Sequence, residues 1–219
     1  MSAAAFFDLD KTLMEGSSGV QFARVAYRAG LIDRRTLIGD LRAGLRFRLH
    51  GSTDEASEAV RVRILDAIAG TPVRRLQRLG AEVLAGVLPR IYPQMLTEAY
   101  EHQDAGREVF IVTAASHEMA QLLAQVLALD GAIGTRSQIR NGIYTGEPEG
   151  PFTYREGKAE AIRRVAGERG FDLAASYAYS DSAPGPGAQA VPGGLLGHLG
   201  HRRAQRRAGP VRHRRRVVG

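Results

Sequence analysis

Two hydrophobic rhythms alternate along the chain. Short, nearly unbroken apolar runs lie at 3–9, 108–113 and 177–180, and each stops against Asp, Thr or Ser. Runs of this length bounded by polar residues predict strands buried on both faces. Between the first two runs, apolar positions recur at helical spacing. Val20, Ala23, Val25 and Ala26 form one set, and Leu37, Leu41, Leu45 and Leu49 repeat every four residues. Thr53-Asp54-Glu55 and Thr71-Pro72 read as helix starts, and Pro89 and Pro93 interrupt the pattern before a helix over 94–105 that closes at Gly106. Beyond the second run the pattern predicts a helix over 117–129, a short strand over 132–135, a hairpin turning at Asn141-Gly142, and a helix over 157–168. Strands alternating with helices predict an α/β fold with a parallel sheet covered by helices. The sheet domain is drawn from 1–16 plus 106–182, and the inserted all-helical block from 17–105.

Composition supports a real core, with 44% hydrophobic residues among 219. The absence of cysteine removes disulfides, thiolate metal sites and a cysteine nucleophile. No apolar run approaches the ~18 residues of a membrane span. The start, Met1 to Phe7, is apolar but short and lacks the basic residues of a signal peptide. The expectation is a soluble, cytoplasmic protein.

Net charge changes the picture only at one end. The chain carries +7, but residues 183–219 hold eight Arg and no acidic residue, which leaves 22 basic and 23 acidic residues before them. The folded part is therefore nearly neutral, and the basic sequence says little about its partners. From Ala183-Pro184-Gly185-Pro186-Gly187 onward the chain lacks acids, Ile, Phe and Tyr, a composition that predicts a disordered tail. Two origins account for it: a shifted reading frame in GC-rich coding sequence, or a basic tail that contacts nucleic acid or an acidic surface. The second lacks the interleaved aromatics that stack on bases.

The candidate chemistry begins at Asp8-Leu9-Asp10. As the chain leaves the first strand, two carboxylates fall at the C-terminal edge of a parallel sheet, where open α/β folds bind ligands. Paired carboxylates suit Mg²⁺, a cation that takes oxygen ligands. A carboxylate can also attack phosphorus and carry the phosphoryl group.

Four strings in order, Phe7-Asp8-Leu9-Asp10-Lys11-Thr12-Leu13, Val109 to Thr113, Gly157-Lys158-Ala159-Glu160 and Tyr179-Ser180-Asp181-Ser182, resemble the four motifs of haloacid dehalogenase (HAD) superfamily phosphatases. The wording over residues 3 to 182 is similar to the phosphoserine-phosphatase-like branch, with a Rossmann-like core and a helical cap. The resemblance implies an aspartyl-phosphate mechanism on a small phosphorylated metabolite. Asp8 would be the nucleophile, and Asp10 the acid and base. Thr113 and the backbone at Ala114 would cradle the phosphoryl oxygens, with Lys158 neutralising charge. Asp8, the carbonyl of Asp10 and Asp181 would hold Mg²⁺. It also implies a second acid four residues after Asp181, where this chain has Gly185, and an acid nine residues after Asp8 that grips a substrate amine, where it has Ser17. These departures leave a catalytically impaired relative as the rival expectation.

Other residues carry less. His50, His102 and His117 lack metal-ligand spacing and read as surface or satisfied histidines. Ser116 has no nearby His base and no nucleophile-elbow sequence. Gly16-Ser17-Ser18-Gly19 reads as the hinge into the helical block. Arg24, Arg28, Arg42, Arg46 and Arg48 are candidates for an anionic substrate, though arginines on helices commonly only keep a face wet.

Overall fold

The computed structural model describes residues 2–32, 62, 65–150, 153 and 156–181. The Leu37–Leu49 repeat, the 53–55 helix start, His50, Arg42, Arg46, Arg48, Gly185 and the whole tail lie outside the described residues.

Five strands form one sheet in the order β4-β3-β2-β1-β5. β1 (Ala4–Asp8) sits between β2 (Glu108–Ser116) and β5 (Tyr177–Tyr179), parallel to both. β3 (Gly131–Arg140) continues the parallel set beside β2, and β4 (Ile143–Glu149) returns antiparallel along it. The alternation of side chains along each strand sorts them to two faces. Ala5, Phe7, Leu9, Val109 and Ile111 enter one buried cluster, whereas Ala4, Phe6, Phe110, Val112 and Ile133 enter another. A strand buried on both sides has no polar face to display, which is why the sequence shows unbroken apolar runs there.

Six helices are labelled here: α1 (Ser18–Arg28), α2 (Val73–Arg78), α3 (Gly80–Val87), α4 (Pro93–Asp104), α5 (His117–Val126) and α6 (Glu156–Arg169). The first cluster receives Met95 and Ala99 of α4, Ala120, Leu123 and Ala124 of α5, and Val25, Val83, Leu84 and Val87 from α1 and α3. The second receives Ala161, Ile162 and Ala166 of α6, with Phe171. α4, which the helical pattern groups with the inserted block, thus lies on the sheet itself, with His102 meeting the rings of Tyr177 and Tyr179.

The strand expected over 132–135 is longer than its apolar core. β3 runs unbroken from Gly131 to Arg140 because its second half, though polar, is paired with β4. The turn between them uses Asn141 at φ 51° and Gly142 at φ 76°, the double left-handed conformation that an Asn-Gly pair takes in a two-residue hairpin. This hairpin is stitched to the helical block: Gly70 N–H donates to the Tyr144 carbonyl at 2.8 Å, Tyr144 N–H to Thr71 at 3.1 Å, and Val73 N–H to Gly142 at 2.9 Å. Tyr144 is buried there against Ile68 and Leu76. Among the described residues no helix is long and apolar enough to cross a membrane.

Candidate active site

Strand register gathers the motif residues at one edge. Asp8 ends β1 opposite Val112, so Thr113 lies one residue further along β2. Phe7 pairs with Tyr179, so Asp181 follows two residues beyond that pair, past the end of β5. Asp8, Thr113 and Asp181, 105 and then 68 residues apart along the chain, therefore meet because three parallel strands end together.

Asp8 is the centre of the arrangement. Lys158 Nζ lies 2.7 Å from Asp8 Oδ1, and the Leu9 N–H donates to the same oxygen at 2.8 Å. Lys158 sits in the first turn of α6, the end of a helix where the dipole disfavours a cation. The Asp8 carboxylate compensates that placement. Burial pushes the Asp8 carboxyl above its ordinary value. The Lys158 charge and hydrogen bond and the Leu9 N–H oppose the shift, and the neighbouring Asp10 charge adds to it.

After Asp8 the chain turns at once. Leu13 N–H donates to the carbonyls of Asp8 and Leu9, both at 3.1 Å, and Met14 N–H donates to Leu9 at 3.0 Å. Lys11 takes φ 61°, a left-handed conformation that a lysine seldom adopts and that the turn imposes. The turn aims Asp10 at the start of α1: Ser17 Oγ–H donates to Asp10 Oδ2 at 3.0 Å and Ser18 N–H to Oδ1 at 2.9 Å. It also reaches the fourth motif. Asp181 N–H donates to Thr12 Oγ1 at 2.8 Å, and Lys11 Nζ lies 4.0 Å from Asp181 Oδ2.

Thr113 is 2% exposed, and its hydroxyl accepts from Ala115 N–H at 3.1 Å, which fixes the C-terminal end of β2. The Ala114 carbonyl accepts from Thr135 Oγ1 at 2.9 Å. Ser116 caps α5 by accepting from Met119 N–H at 3.3 Å and donates to Glu118, consistent with a structural serine. His102 is satisfied on both ring nitrogens, by Arg107 and by the Tyr179 hydroxyl. His117 bonds Arg136 through Nε2. Arg24 and Arg28 are exposed on α1, and Arg28 pairs with Glu82 at 3.4 Å.

The structure brings Asp8 and Lys158 into direct contact, sets Asp10 in the adjoining turn, and places Thr113 on β2 and Asp181 just past the end of β5. Sequence reasoning missed Lys11, Thr12, Ser17 and Ser18. Lys11 and Thr12 were visible inside the first motif, but their contacts with Asp181 span about 170 residues. Ser17 and Ser18 read as a hinge because nothing local shows where Asp10 will point.

The donors at this edge are all oxygens: the carboxylates of Asp8 and Asp181 and the backbone carbonyl of Asp10. Among the described residues no group of three or more His, Asp or Glu side chains forms a complete metal cage. Two carboxylates with one carbonyl match Mg²⁺, which keeps several waters and binds through one or two carboxylates and substrate phosphate. The residues present thus fit that ion.

The family model described as haloacid dehalogenase-like hydrolase matches residues 5–183. An inhibition of morphological differentiation protein of Streptomyces azureus is 37% identical over 182 residues, which is 82% of this chain and 65% of that protein. Phosphoserine phosphatase SerB1 of Mycobacterium tuberculosis is 36% identical over 184 residues, 83% of this chain and 60% of that protein. The chain thus spans somewhat less than two thirds of these relatives' length. Among solved structures, a protein of unknown function from Bordetella pertussis superposes with TM-score 0.72 at 27% identity over 84% of both chains. A phospho-aspartyl intermediate analogue of phosphoserine phosphatase shares the fold with TM-score 0.57 at 18% identity, over 83% of this chain and 78% of that one. With four motifs gathered at one sheet edge and a family match over most of its length, this chain belongs to the haloacid dehalogenase-like hydrolases.

Proposed function

We propose that this protein is a magnesium-dependent phosphatase that hydrolyses a small phosphomonoester through an acyl phosphate on Asp8. The observation that carries the reading is the half-buried Asp8–Lys158 contact of 2.7 Å at the C-terminal sheet edge, with a second carboxylate two residues away. A half-buried nucleophile held beside a cation suits phosphoryl transfer, where positioning and charge neutralisation do most of the work.

In this reading an Asp8 carboxylate oxygen attacks phosphorus as the bond to the leaving oxygen breaks, and Asp10 gives that oxygen its proton. Asp10 then takes a proton from water as the water oxygen attacks phosphorus. The bond to Asp8 breaks, and inorganic phosphate and free Asp8 result. Thr113 and the backbone at Ala114 hold the phosphoryl oxygens, and Lys158 offsets their charge. Asp8, the Asp10 carbonyl and Asp181 would hold Mg²⁺, whose chemistry is to neutralise charge on the phosphoryl oxygens. Residues 17–105 are assigned the role of a cap over this edge, with α4 anchoring it to the sheet. A relative named for phosphoserine supports a small phosphorylated metabolite as substrate class, whereas Ser17 at the amine-gripping position argues for a substrate other than phosphoserine.

The test is phosphate release from p-nitrophenyl phosphate with and without Mg²⁺, beside Asp8→Asn. Hydrolysis that requires both the metal and Asp8 is the expected result. Turnover that survives in Asp8→Asn would overturn the mechanism.

A further inference from the structure

Asp10 is a motif residue whose side chain is held by the helical block. Both of its carboxylate oxygens are engaged, and both donors come from the start of α1. Ser17 is the N-cap residue of α1, with extended φ −131° and ψ 128°, yet its side chain makes no capping bond to its own helix. A serine in that place ordinarily accepts from an N–H in the first turn. Here the hydroxyl donates outward instead, and the acceptor at the helix N-terminus is Asp10 Oδ1, on Ser18 N–H.

The arrangement is a reciprocal clamp. The N-terminus of α1 gains a carboxylate, which favours the helix dipole. Asp10 gains two donors on different oxygens, which fixes both its side-chain direction and the plane of its carboxylate. With Ser18 N–H alone, the group could pivot about a single bond. Ser17 Oγ–H removes that freedom.

We infer that Ser17 is a positioning residue that aligns Asp10 for proton transfer to the leaving group. This rests on the proposed role of Asp10. It goes beyond that role because it predicts which substrates feel the clamp. When the bond to the leaving oxygen breaks, a strongly basic leaving group needs the Asp10 proton and p-nitrophenolate scarcely does. A misaligned Asp10 therefore slows hydrolysis in proportion to leaving-group basicity and leaves substrate binding alone.

The experiment uses the full chain and a series of substituted phenyl phosphates from p-nitro to p-methoxy, which share one shape. Ser17→Ala is expected to stay within about threefold of wild type in kcat on p-nitrophenyl phosphate. On p-methoxyphenyl phosphate it is expected to fall about tenfold or more, with KM unchanged. Ser17→Thr, which keeps the hydroxyl, restores the wild-type dependence. Adding Ser17→Ala to Asp10→Asn produces no further leaving-group effect, because the two act as one unit. Equal loss across the series, no loss, or a Thr variant that behaves like Ala would overturn the inference. A second measurement does not depend on turnover: amide hydrogen exchange at Ser18, whose N–H is bonded to Asp10. Exchange faster by about tenfold in Ser17→Ala and wild-type in Ser17→Thr supports the clamp, and unchanged protection in Ser17→Ala refutes it. Failure of the Asp8 mechanism itself shows separately, as hydrolysis indifferent to Asp8→Asn.

Discussion

Burial and charge pull in opposite directions on Asp8. Removal from water raises its carboxyl above the usual 3.8, and the Lys158 contact recovers only part of that cost. A carboxyl raised in the folded state contributes stability that is fully present below about pH 3.8 and is lost as pH rises through the folded value. Once the group is ionised the wild type therefore bears that penalty. Asp8→Asn is expected to melt at a higher temperature than wild type at pH 7, with the gap closing as the pH approaches 4. Thermal melts of both proteins across that range check it, and a gap that widens in acid contradicts the assignment of burial as the dominant cause. Lys158→Met tests the other partner. It leaves the half-buried Asp8 without its cation and is expected to cost roughly 1.5–3 kcal/mol, the range for a charged hydrogen bond, read by urea denaturation at pH 7. At this scale the sequence was informative about identity and silent about direction. Asp8, Asp10, Thr113, Lys158 and Asp181 stood out because their types recur with strand ends and a helix start. That Asp10 turns to Ser17 and Ser18 follows from the turn in which Lys11 takes φ 61°, and no pattern of residue types encodes that geometry.

Among the elements, β5 is the shortest strand, three residues at the edge of the sheet among those described, and it carries Asp181 just past its end. Two sets of contacts hold it. Its last residue, Tyr179, stacks on Phe7 at 4.2 Å, and the Tyr179 hydroxyl donates to Glu98 at 3.0 Å while meeting His102 Nε2 at 2.8 Å. Arg107 Nε–H donates to His102 Nδ1 at 2.7 Å, which requires the neutral ring with its proton on Nε2. Burial first, then the Arg107 charge, lowers the proton affinity of His102 below its ordinary 6.5. For a depressed group the stability is present above pH 6.5 and lost as pH falls through the lower folded value. Wild type is therefore expected to lose more stability between pH 7 and 5 than His102→Gln, although the variant begins about 1 kcal/mol lower for a lost hydrogen bond. Parallel slopes in the two proteins would remove His102 as the cause. β3 gives a second test at this scale. A Cβ on Gly134 would meet the His117 backbone at 2.6 and 2.8 Å and the Ala115 carbonyl at 2.9 Å. Gly134→Ala must push β3 away from the end of β2 that carries Thr113 and Ala114, and a loss of about 1–3 kcal/mol in chemical denaturation is expected. Elements of this kind were legible where apolar runs were continuous and where Asn141-Gly142 marked a turn. The polar half of β3 was not, because its pairing with β4, rather than its own composition, makes it a strand.

Over the whole molecule, the two apolar clusters on opposite faces of the sheet explain why the α/β class could be read from the sequence: unbroken runs admit few other solutions. What could not be read is that helices before the second strand share a cluster with that sheet. Helical periodicity reports that a face is buried and not against what, so α4 looked like the other helices of the inserted block. The sheet edge that results gathers residues separated by most of the chain, so any ligand that binds Asp8 and Asp181 together binds the folded state and not the unfolded one. Binding of that kind stabilises by mass action, about 2.7 kcal/mol at a hundredfold excess over Kd. For a chain of this size that corresponds to a rise in Tm of roughly 5–10 °C. Mg²⁺ is therefore expected to raise the Tm of the wild type relative to an ionic-strength control. It should do so much less in Asp181→Asn, where one of the two carboxylates is gone while the N–H bond from residue 181 to Thr12 can persist. An equal rise in both proteins would place the ion elsewhere on the molecule. No rise in the wild type at saturating metal would remove Mg²⁺ from the site, and the Lys11 ammonium 4.0 Å from Asp181 would then be the cation that this carboxylate was built to meet.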